Sequence, residues 1–273
     1  MVRCLIALGG NIGVSESVFK AAMKQLSRPG IHSIAVSGIK KTKPVGQSAG
    51  EEFLNAAATL ECELSPYDLL NTLHEIEQAF GRRRTTHWGP RTLDLDLCLY
   101  GNEAIDDSRL VLPHPAMWYR KFVLDPALDI AADMVHPLLQ QSITELHTDL
   151  QKRPLRMALR CSETLSVPLN LAAIAQDLPE DAVEWMIPGD SPVDRSVPSV
   201  EAGSARSVHG ECDVQQTAST SKIFAEVIFH DVFSGVSSRT QPPNFLTRTI
   251  PIFTASQQDA VEQLRALRSA VLG

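Results

Sequence analysis

Apolar residues in the first 100 positions follow two kinds of pattern, and the order of those patterns strongly restricts the fold. A short apolar run, or alternation at every second residue, is typical of a strand, whereas spacing of three to four residues is typical of an amphipathic helix. The predicted order is strand, helix, strand, strand, helix, strand, at residues 2–8, 17–26, 31–42, 52–64, 65–81 and 93–100. This order predicts an α+β fold with a ferredoxin-like βαββαβ core, in which two helices cover one face of an antiparallel sheet.

The chain changes character after about residue 150, where short strand and helix patterns continue without a catalytic motif. No aromatic residue lies between Trp185 and Phe224, and this stretch is rich in Ser, Pro, Gly, Asp and Glu, so it offers little to a packed core. We therefore predict a first domain at 1–153, a connecting segment at 154–187, a disordered linker at 188–221 and a small C-terminal α/β region of unknown type at 222–273.

Composition and charge exclude several classes of function. At 273 residues, 44% of them hydrophobic and 21% charged, the chain can bury a core of ordinary size. No apolar run approaches the roughly 20 residues that span a bilayer, and the first residues lack a leader pattern, so we expect a cytoplasmic protein without a membrane partner. A net charge of −7 disfavours nucleic acid as a partner. The five cysteines are scattered, which predicts neither a disulfide framework nor a zinc site.

Two aspartates interrupt the leucine-rich strand at 93–100. Side chains alternate along a strand, so the leucines at 93, 95, 97 and 99 are expected on the core face, with Asp94, Asp96 and Tyr100 opposite. The two aspartates then lie about 6.5 Å apart, and their negative charges repel unless a cation lies between them. Two Mg²⁺ ions would meet that need, because carboxylate oxygens suit Mg²⁺. The alternative is an edge strand with a solvated polar face.

A cluster of basic residues precedes this strand in an otherwise acidic chain. The cluster contains Arg82, Arg83, Arg84, His87 and Arg91. Further basic residues follow the strand, at His114, Arg120 and Lys121. An arginine can bind two phosphate oxygens at once, and metal ions can bridge such oxygens, so carboxylates beside arginines favour a polyphosphate site.

The segment at 53–60 predicts a second pocket. Phe53, Asn55 and Ala57 share one face of the predicted strand, so an aromatic ring and a carboxamide lie side by side. A carboxamide both donates and accepts hydrogen bonds, which suits the edge of a flat heterocycle, and the ring offers a stacking surface. The alternative is a structural asparagine beside a core phenylalanine.

These motifs occur together in a known family. The segments ALGGNIG, FLNAAATLE, EIEQAFGRRR, WGPRTLDLDLCLYG and LPHPAMWYRKFVLDPALDIA follow the order and spacing of 6-hydroxymethyl-7,8-dihydropterin pyrophosphokinase, over roughly residues 2–150. The chain resembles that family throughout this span. The resemblance implies transfer of the β,γ-pyrophosphoryl group from ATP to the pterin hydroxymethyl oxygen, with AMP as the second product, in folate biosynthesis.

The resemblance also implies roles for individual residues. Asp94 and Asp96 resemble the ligands of two Mg²⁺ ions and, with Arg82 and Arg91, the catalytic set. The ATP contacts implied are Glu77, Arg84, Arg91, Leu97, Arg109, Val111, His114 and Arg120. The contacts implied to 6-hydroxymethyl-7,8-dihydropterin are Thr42, Val45, Phe53, Asn55, Trp88 and Phe122. Trp88 and the arginines around it resemble a mobile loop that closes over both substrates.

The chain departs from the family pattern at several positions. His87 stands in an arginine position and Phe53 in one that commonly holds tyrosine. The remaining departures, Lys43, His74 and Pro115, affect the predicted pterin loop and the contacts to the base of ATP. Two alternatives stay open, namely another DxD metal-dependent nucleotide transferase and a catalytically inactive ferredoxin-like binding module. A monomer is expected.

Overall fold

A computed structural model describes residues 1–11, 16–42, 52–81, 93–161, 169–176, 182–187, 225–231, 249–254 and 256–272. Its strands are β1 (Val2–Gly10), β2 (Ile31–Val36), β3 (Lys40–Thr42), β4 (Phe53–Cys62), β5 (Asp94–Tyr100), β6 (Ile105–Asp106), β7 (Val111–Leu112), β8 (Val135–His136), β9 (Gln141–Ser142), β10 (Leu155–Cys161), β11 (Val183–Met186), β12 (Ala225–Asp231) and β13 (Thr249–Thr254). Its α-helices are α1 (Glu16–Leu26), α2 (Pro66–Ala79), α3 (Lys121–Ala131), α4 (Ile143–Gln151), α5 (Leu171–Gln176) and α6 (Gln257–Leu272).

The first half forms an antiparallel sheet with strand order β2-β4-β1-β5, and β3 extends the pairing of β4. Helices α1 and α2 cover one face, where Phe19 and Leu73 pack against Ile6, Leu60 and Leu95. The predicted ferredoxin-like α+β core is therefore confirmed. Burial of these apolar side chains is the dominant favourable term in forming this layer.

Local sequence sets the start of α2 as predicted. The Ser65 side chain accepts a hydrogen bond from the Asp68 N–H, and Pro66 occupies the first turn, where its missing N–H costs nothing. The helix then directs Leu69 and Ile76 into the core. The cap fixes where the helix begins, and this determines which residue further along faces the start of β5.

A third helix, α3, covers the opposite face of the sheet, and the sequence patterns did not predict it. Val123, Leu124 and Ala127 are buried among apolar residues of that face. Pro126 lies inside the helix and cannot donate a hydrogen bond to the carbonyl of the residue four positions earlier. A proline at this position argues against a helix in a sequence pattern, but packing against the sheet compensates for the lost hydrogen bond.

The alternation along β5 breaks at Cys98. Leu5 pairs with Leu99 but Ile6 pairs with Leu97, so Cys98 is an extra residue, as in a β-bulge. Leu99 consequently packs in the core around α3, whereas Tyr100 packs with α1 and α2. Leu99 was predicted on the face of Leu95 and Leu97, and Tyr100 on the face of the aspartates. Both predictions were wrong, because one inserted residue exchanges the faces of those that follow.

The C-terminal part contains a four-stranded parallel sheet with strand order β11-β10-β12-β13. Parallel sheets occur in α/β units. Two of the strands, β10 and β11, come from the predicted connecting segment 154–187, so this segment and the region after residue 222 contribute to one sheet. The segment 188–221, predicted to be a linker, lies outside the described residues. No helix within the described ranges has both the length and the apolar character needed to span a bilayer.

The apolar core around α3 continues into the C-terminal sheet. Its buried members include Ala57, Leu99, Leu124, Leu146, Leu155, Met157, Val227, Ile252, Leu264 and Leu267. Helix α6 contacts α3 directly. The predicted boundary at residue 153 falls between α4 and β10, but the two sides of that boundary share one core.

We predict that Leu264→Ala destabilises the first half as well as the second. Leu264 is fully buried in the shared core, and truncation of such a leucine costs about 2–5 kcal/mol. In urea unfolding followed by fluorescence, the whole transition should move to lower denaturant concentration. The control is Glu262→Ala, an exposed position on the same helix, which should change stability by no more than about 0.5 kcal/mol. A separate early transition, with the main one unmoved, would contradict the shared core.

Candidate functional site

The sheet register brings the two predicted pockets together. Gly9 in β1 pairs with Asn55 in β4 on one side and with Asp94 in β5 on the other. Residues paired across strands point to the same face, and neighbouring strands lie about 4.8 Å apart. The carboxamide and the carboxylate therefore arise from the same face, on strands about 10 Å apart. In the next row on this face, Ala7 lies between Ala57 and Asp96.

The Asn55 side chain is held in a defined orientation at the edge of this face. It is 5% exposed, and its Nδ2 donates a hydrogen bond of 2.9 Å to Oγ1 of Thr42. Phe53 pairs with Thr42 across β3 and β4, and both are partly exposed. Helix α3, which carries Phe122 in its first turn, packs against the same two strands. We call these four residues the recess; within it, Thr42 fixes the amide end of the Asn55 side chain.

The two aspartates share a face, as predicted from the alternation at the start of β5. Both are partly exposed, and Nε2 of His114 lies 3.9 Å from Oδ2 of Asp96. Nδ1 of His114 accepts a hydrogen bond from the Ala116 N–H, so a neutral imidazole carries its proton on Nε2, towards the carboxylate. Burial lowers the pKa of His114, because it disfavours the charged imidazolium, although the negative charge of Asp96 raises this pKa. The histidine is therefore a neutral donor near neutral pH.

Glu77 connects α2 to the start of β5. Its side chain is 2% exposed, and Oε1 accepts a 2.8 Å hydrogen bond from the Leu95 N–H, between the two aspartates. Leu97 lies on the opposite face, in the core beneath α1 and α2. A contact from Leu97 to a bound nucleotide would therefore involve its main chain. The buried Glu77 side chain acts on the strand that presents the carboxylates.

Two arginines lie over aromatic rings. Cζ of Arg109 is 5.2 Å from the centroid of the Tyr67 ring, and Cζ of Arg120 is 5.7 Å from that of Phe122. The Tyr67 hydroxyl donates a 2.5 Å hydrogen bond to Asp107, whose other oxygen accepts from the Arg109 N–H. This hydrogen bond raises the pKa of Tyr67 and lowers that of Asp107.

Tyr67 was not identified from the sequence, because a tyrosine in a first helical turn carries no motif; it is partly buried against the core. Val111 lies in β7, two residues after Arg109 and partly exposed. The remaining predicted site residues lie outside the described residues. These are Val45 in the predicted pterin loop and Arg82, Arg84, Trp88 and Arg91 in the predicted closing loop.

The donor set on β5 fits a hard divalent cation. Asp94 and Asp96 supply carboxylate oxygens from one face, and Mg²⁺ binds through one or two carboxylates, with phosphate oxygens and water completing its shell. No group of three or more metal-binding side chains was found among the described residues. The arrangement thus combines an anionic end, suited to a metal-bound polyphosphate, with a carboxamide recess suited to a heterocycle.

Known proteins are similar to this chain in sequence. A family profile for 7,8-dihydro-6-hydroxymethylpterin-pyrophosphokinase (HPPK) matches residues 5–132. The 2-amino-4-hydroxy-6-hydroxymethyldihydropteridine pyrophosphokinase of Haemophilus influenzae is 44% identical over 147 residues, which cover 54% of this chain and 91% of that protein. The chain belongs to the HPPK family. HPPK proteins of the same name from Synechocystis and Bacillus subtilis are 42% and 38% identical, over 52% and 53% of this chain and 73% and 84% of their own length.

The HPPK assignment confirms the family resemblance found in the sequence. The match to the HPPK profile ends at residue 132, within the turn after α3. It therefore includes the recess and both aspartates but not the parallel sheet. No role follows from it for the C-terminal part of the chain.

We predict that Glu77→Ala disturbs the aspartate strand more than Glu77→Gln. Alanine leaves the buried Leu95 N–H without its Glu77 acceptor, at a cost of about 1–3 kcal/mol, whereas glutamine retains an acceptor oxygen. Urea unfolding should show the larger loss for alanine, and amide hydrogen exchange should accelerate at Leu95. Gln78→Ala, at the next and exposed position of α2, is the control. Equal protection of Leu95 in all three variants would show that the hydrogen bond does not hold this strand.

Proposed function

We propose that this HPPK-family chain transfers pyrophosphate from ATP to 6-hydroxymethyl-7,8-dihydropterin, giving the pterin diphosphate and AMP in folate biosynthesis. The hydroxymethyl oxygen bonds to the β-phosphorus, the bond from that phosphorus to the α-phosphate oxygen breaks, and the hydroxyl proton is released. The proposal is supported above all by the row of Asn55, Gly9 and Asp94, which has a carboxamide and a carboxylate on one face. The relatives bear the name of this activity.

The pterin would occupy the recess formed by Thr42, Phe53, Asn55 and Phe122. The Asn55 carboxamide would bind the pterin edge, because its Nδ2 is already oriented by Thr42 while its oxygen can accept from a pterin N–H. Phe53 and Phe122 would bind the ring faces by stacking. Val45 would contact the far edge, as in the family pattern. Binding in this orientation would direct the hydroxymethyl arm towards β5.

ATP would bind with its phosphates at Asp94 and Asp96, which we propose hold two Mg²⁺ ions. When bound, these ions would offset the negative charge of the triphosphate. His114 would donate from Nε2 at the same end, and Arg120 would add a guanidinium. This set of donors would favour the reacting geometry by positioning and charge.

The far end of ATP would lie along β5 and β7, near Arg109, Val111 and the main chain of Leu97. Helix α2 supports this direction. Glu77 contacts β5 between the two aspartates, and Tyr67 contacts Arg109. Tyr67 lies ten residues before Glu77, or about 15 Å along the helix. The separation between the carboxylates and Arg109 is thus comparable with the length of a nucleoside triphosphate.

The predicted closing loop would complete the site. Arg82, Arg84 and Arg91 would bind phosphates and Trp88 would cover the pterin, in line with the family pattern. Closure of such a loop excludes water, which would otherwise compete as the acceptor.

We further propose that the chain acts as a monomer in the cytoplasm, without nucleic acid or membrane. The negative net charge supports the absence of a nucleic-acid partner.

We predict that the purified chain releases AMP from ATP, Mg²⁺ and the dihydropterin, and that Asp94→Ala and Asp96→Ala each lower kcat by at least about 100-fold. Removal of one carboxylate also relieves like-charge repulsion, so the variants without substrate should be at least as stable as the wild type. Product chromatography and thermal unfolding measure the two effects.

The control is Glu103→Ala, an exposed carboxylate in the turn after β5, which should leave the rate unchanged. Release of ADP in place of AMP would contradict pyrophosphoryl transfer. A near-normal rate in either aspartate variant would contradict the two-metal assignment.

We predict that Asn55→Ala mainly weakens binding of the dihydropterin, whereas Arg91→Ala mainly lowers turnover. The asparagine lies in the proposed pterin recess, so its loss should weaken binding of the dihydropterin alone more than loss of Arg91. The arginine is expected to bind phosphate as charge shifts, a contact worth about 3 kcal/mol in comparable sites. Fluorescence titration without ATP and steady-state rates separate the two. The reverse order in the titration would mean that the two pockets had been exchanged.

A further inference from the structure

Gly9 lies at the centre of the proposed site. It is the middle member of the row in which Asn55 and Asp94 are its two cross-strand partners. On the same face, Ala7 is the middle member of the next row, beside Asp96. The strip of β1 between the recess and the carboxylates therefore carries no side chain larger than a methyl group.

The fold itself does not require a glycine at this position. Gly9 is within a regular strand, and its φ is outside the positive range that Gly30, Gly81 and Gly101 adopt. A Cβ built on Gly9 would lie 3.6 Å from Oδ1 of Asn55, an ordinary van der Waals distance. Glycine also weakens the interior of a strand relative to alanine. A methyl group at this position is thus compatible with the described residues around it and would stabilise the strand.

Gly101 shows the opposite case. Its φ is +52°, and a Cβ built there would lie 2.7 Å from Cγ1 of Val2. The structure thus requires glycine at the turn after β5 but not in the row between the two pockets.

The space above Gly9 is the space that the proposed reaction needs. If the pterin is bound at Asn55 and the phosphates at Asp94, the hydroxymethyl oxygen approaches the β-phosphorus across β1. We infer that Gly9 is a specificity-determining residue whose missing side chain keeps this path open, an inference that rests on the proposed function. A methyl group there would stand against the Asn55 oxygen that faces the pterin. A displacement of about 1 Å between reacting atoms is enough to lower a rate about 100-fold.

The inference predicts an asymmetry between the two substrates. The methyl group of Gly9→Ala would adjoin Asn55, so dihydropterin binding should weaken. ATP should bind normally, because its phosphates are held on β5. Gly9→Val should enlarge the effect, because it adds volume on the same side. A purely structural role would instead lower stability and affect both substrates alike.

Gly38 offers a matched control. Its φ is also outside the positive range, and a Cβ built on it would lie 3.6 Å from Oδ2 of Asp129, so the distance to the nearest side-chain oxygen is the same as at Gly9. It lies between β2 and β3, outside the row that contains Gly9. Gly38→Ala therefore adds the same group in similar space, away from the proposed path.

The experiment compares Gly9→Ala, Gly9→Val and Gly38→Ala with the wild type in the full chain. Thermal unfolding, titration with the dihydropterin alone, titration with a non-hydrolysable ATP analogue and Mg²⁺, and steady-state AMP release are measured for each. For Gly9→Ala we expect unchanged or higher thermal stability, about tenfold weaker dihydropterin binding, unchanged binding of the analogue and about 100-fold lower kcat/KM. Gly38→Ala should match the wild type in all four measurements.

Each outcome decides the inference. A folded Gly9→Ala variant with wild-type kcat/KM would overturn it, and so would a variant that fails to fold, because the argument requires that a methyl group fits. Equal weakening of both substrates would also count against it. If the wild type released no AMP, the proposed function would fail. The comparison of dihydropterin binding by Gly9→Ala and Gly38→Ala would then still decide whether Gly9 lines a pterin pocket.

Discussion

The antiparallel register of β1 between β4 and β5 is the constraint on which the site depends. Backbone hydrogen bonds on both sides of β1 fix which residues share a row, and a slip of one residue would turn every side chain to the other face. Asn55 and Asp94 are far apart in sequence and lie in the same row only because both pair with Gly9. The buried leucines that alternate with Asp94 and Asp96 hold this register, because a shift would expose them to water. The same residues that build the core therefore set the distance between the two pockets.

The two faces of this sheet are covered by different elements and have different roles. One face is closed by α1 and α2, and its Glu77 also supports the main chain between the aspartates. The other face carries the proposed site at one end and a core at the other. Helix α3 contributes to both ends of this face. Its first turn carries Phe122, a residue of the recess, and its later residues pack against the sheet and α6. The C-terminal sheet is thus connected to the recess through a helix, without contributing a described residue to it.

The sequence allowed prediction of elements whose residues repeat at a clear period. The start of α2 followed from Ser65 and Pro66, and the shared face of Asp94 and Asp96 followed from alternation. The exchange of Leu99 and Tyr100 was missed because a bulge depends on the partner strand, and no local pattern records it. Helix α3 was missed because Pro126 weighs against a helix locally while tertiary packing favours it. Of the site, residue types and motifs were predictable, but the row through Gly9 was not, since cross-strand register follows from the whole sheet.

The described arginines of the site are positioned by aromatic rings, and this choice has a chemical consequence. Exposed cation–π contacts contribute little to stability, about 0.5–1 kcal/mol each. Their main effect is therefore to orient the guanidinium group. A ring contacts the face of a guanidinium, whereas the N–H donors of the guanidinium point outward in its plane. Arg109 over Tyr67 and Arg120 over Phe122 can therefore be held in place and still offer their donors to an anion. A carboxylate partner would orient an arginine equally well but would occupy those donors and cancel the charge. In an acidic chain, holding cations by aromatic rings keeps their charge available for the polyphosphate that we propose binds here.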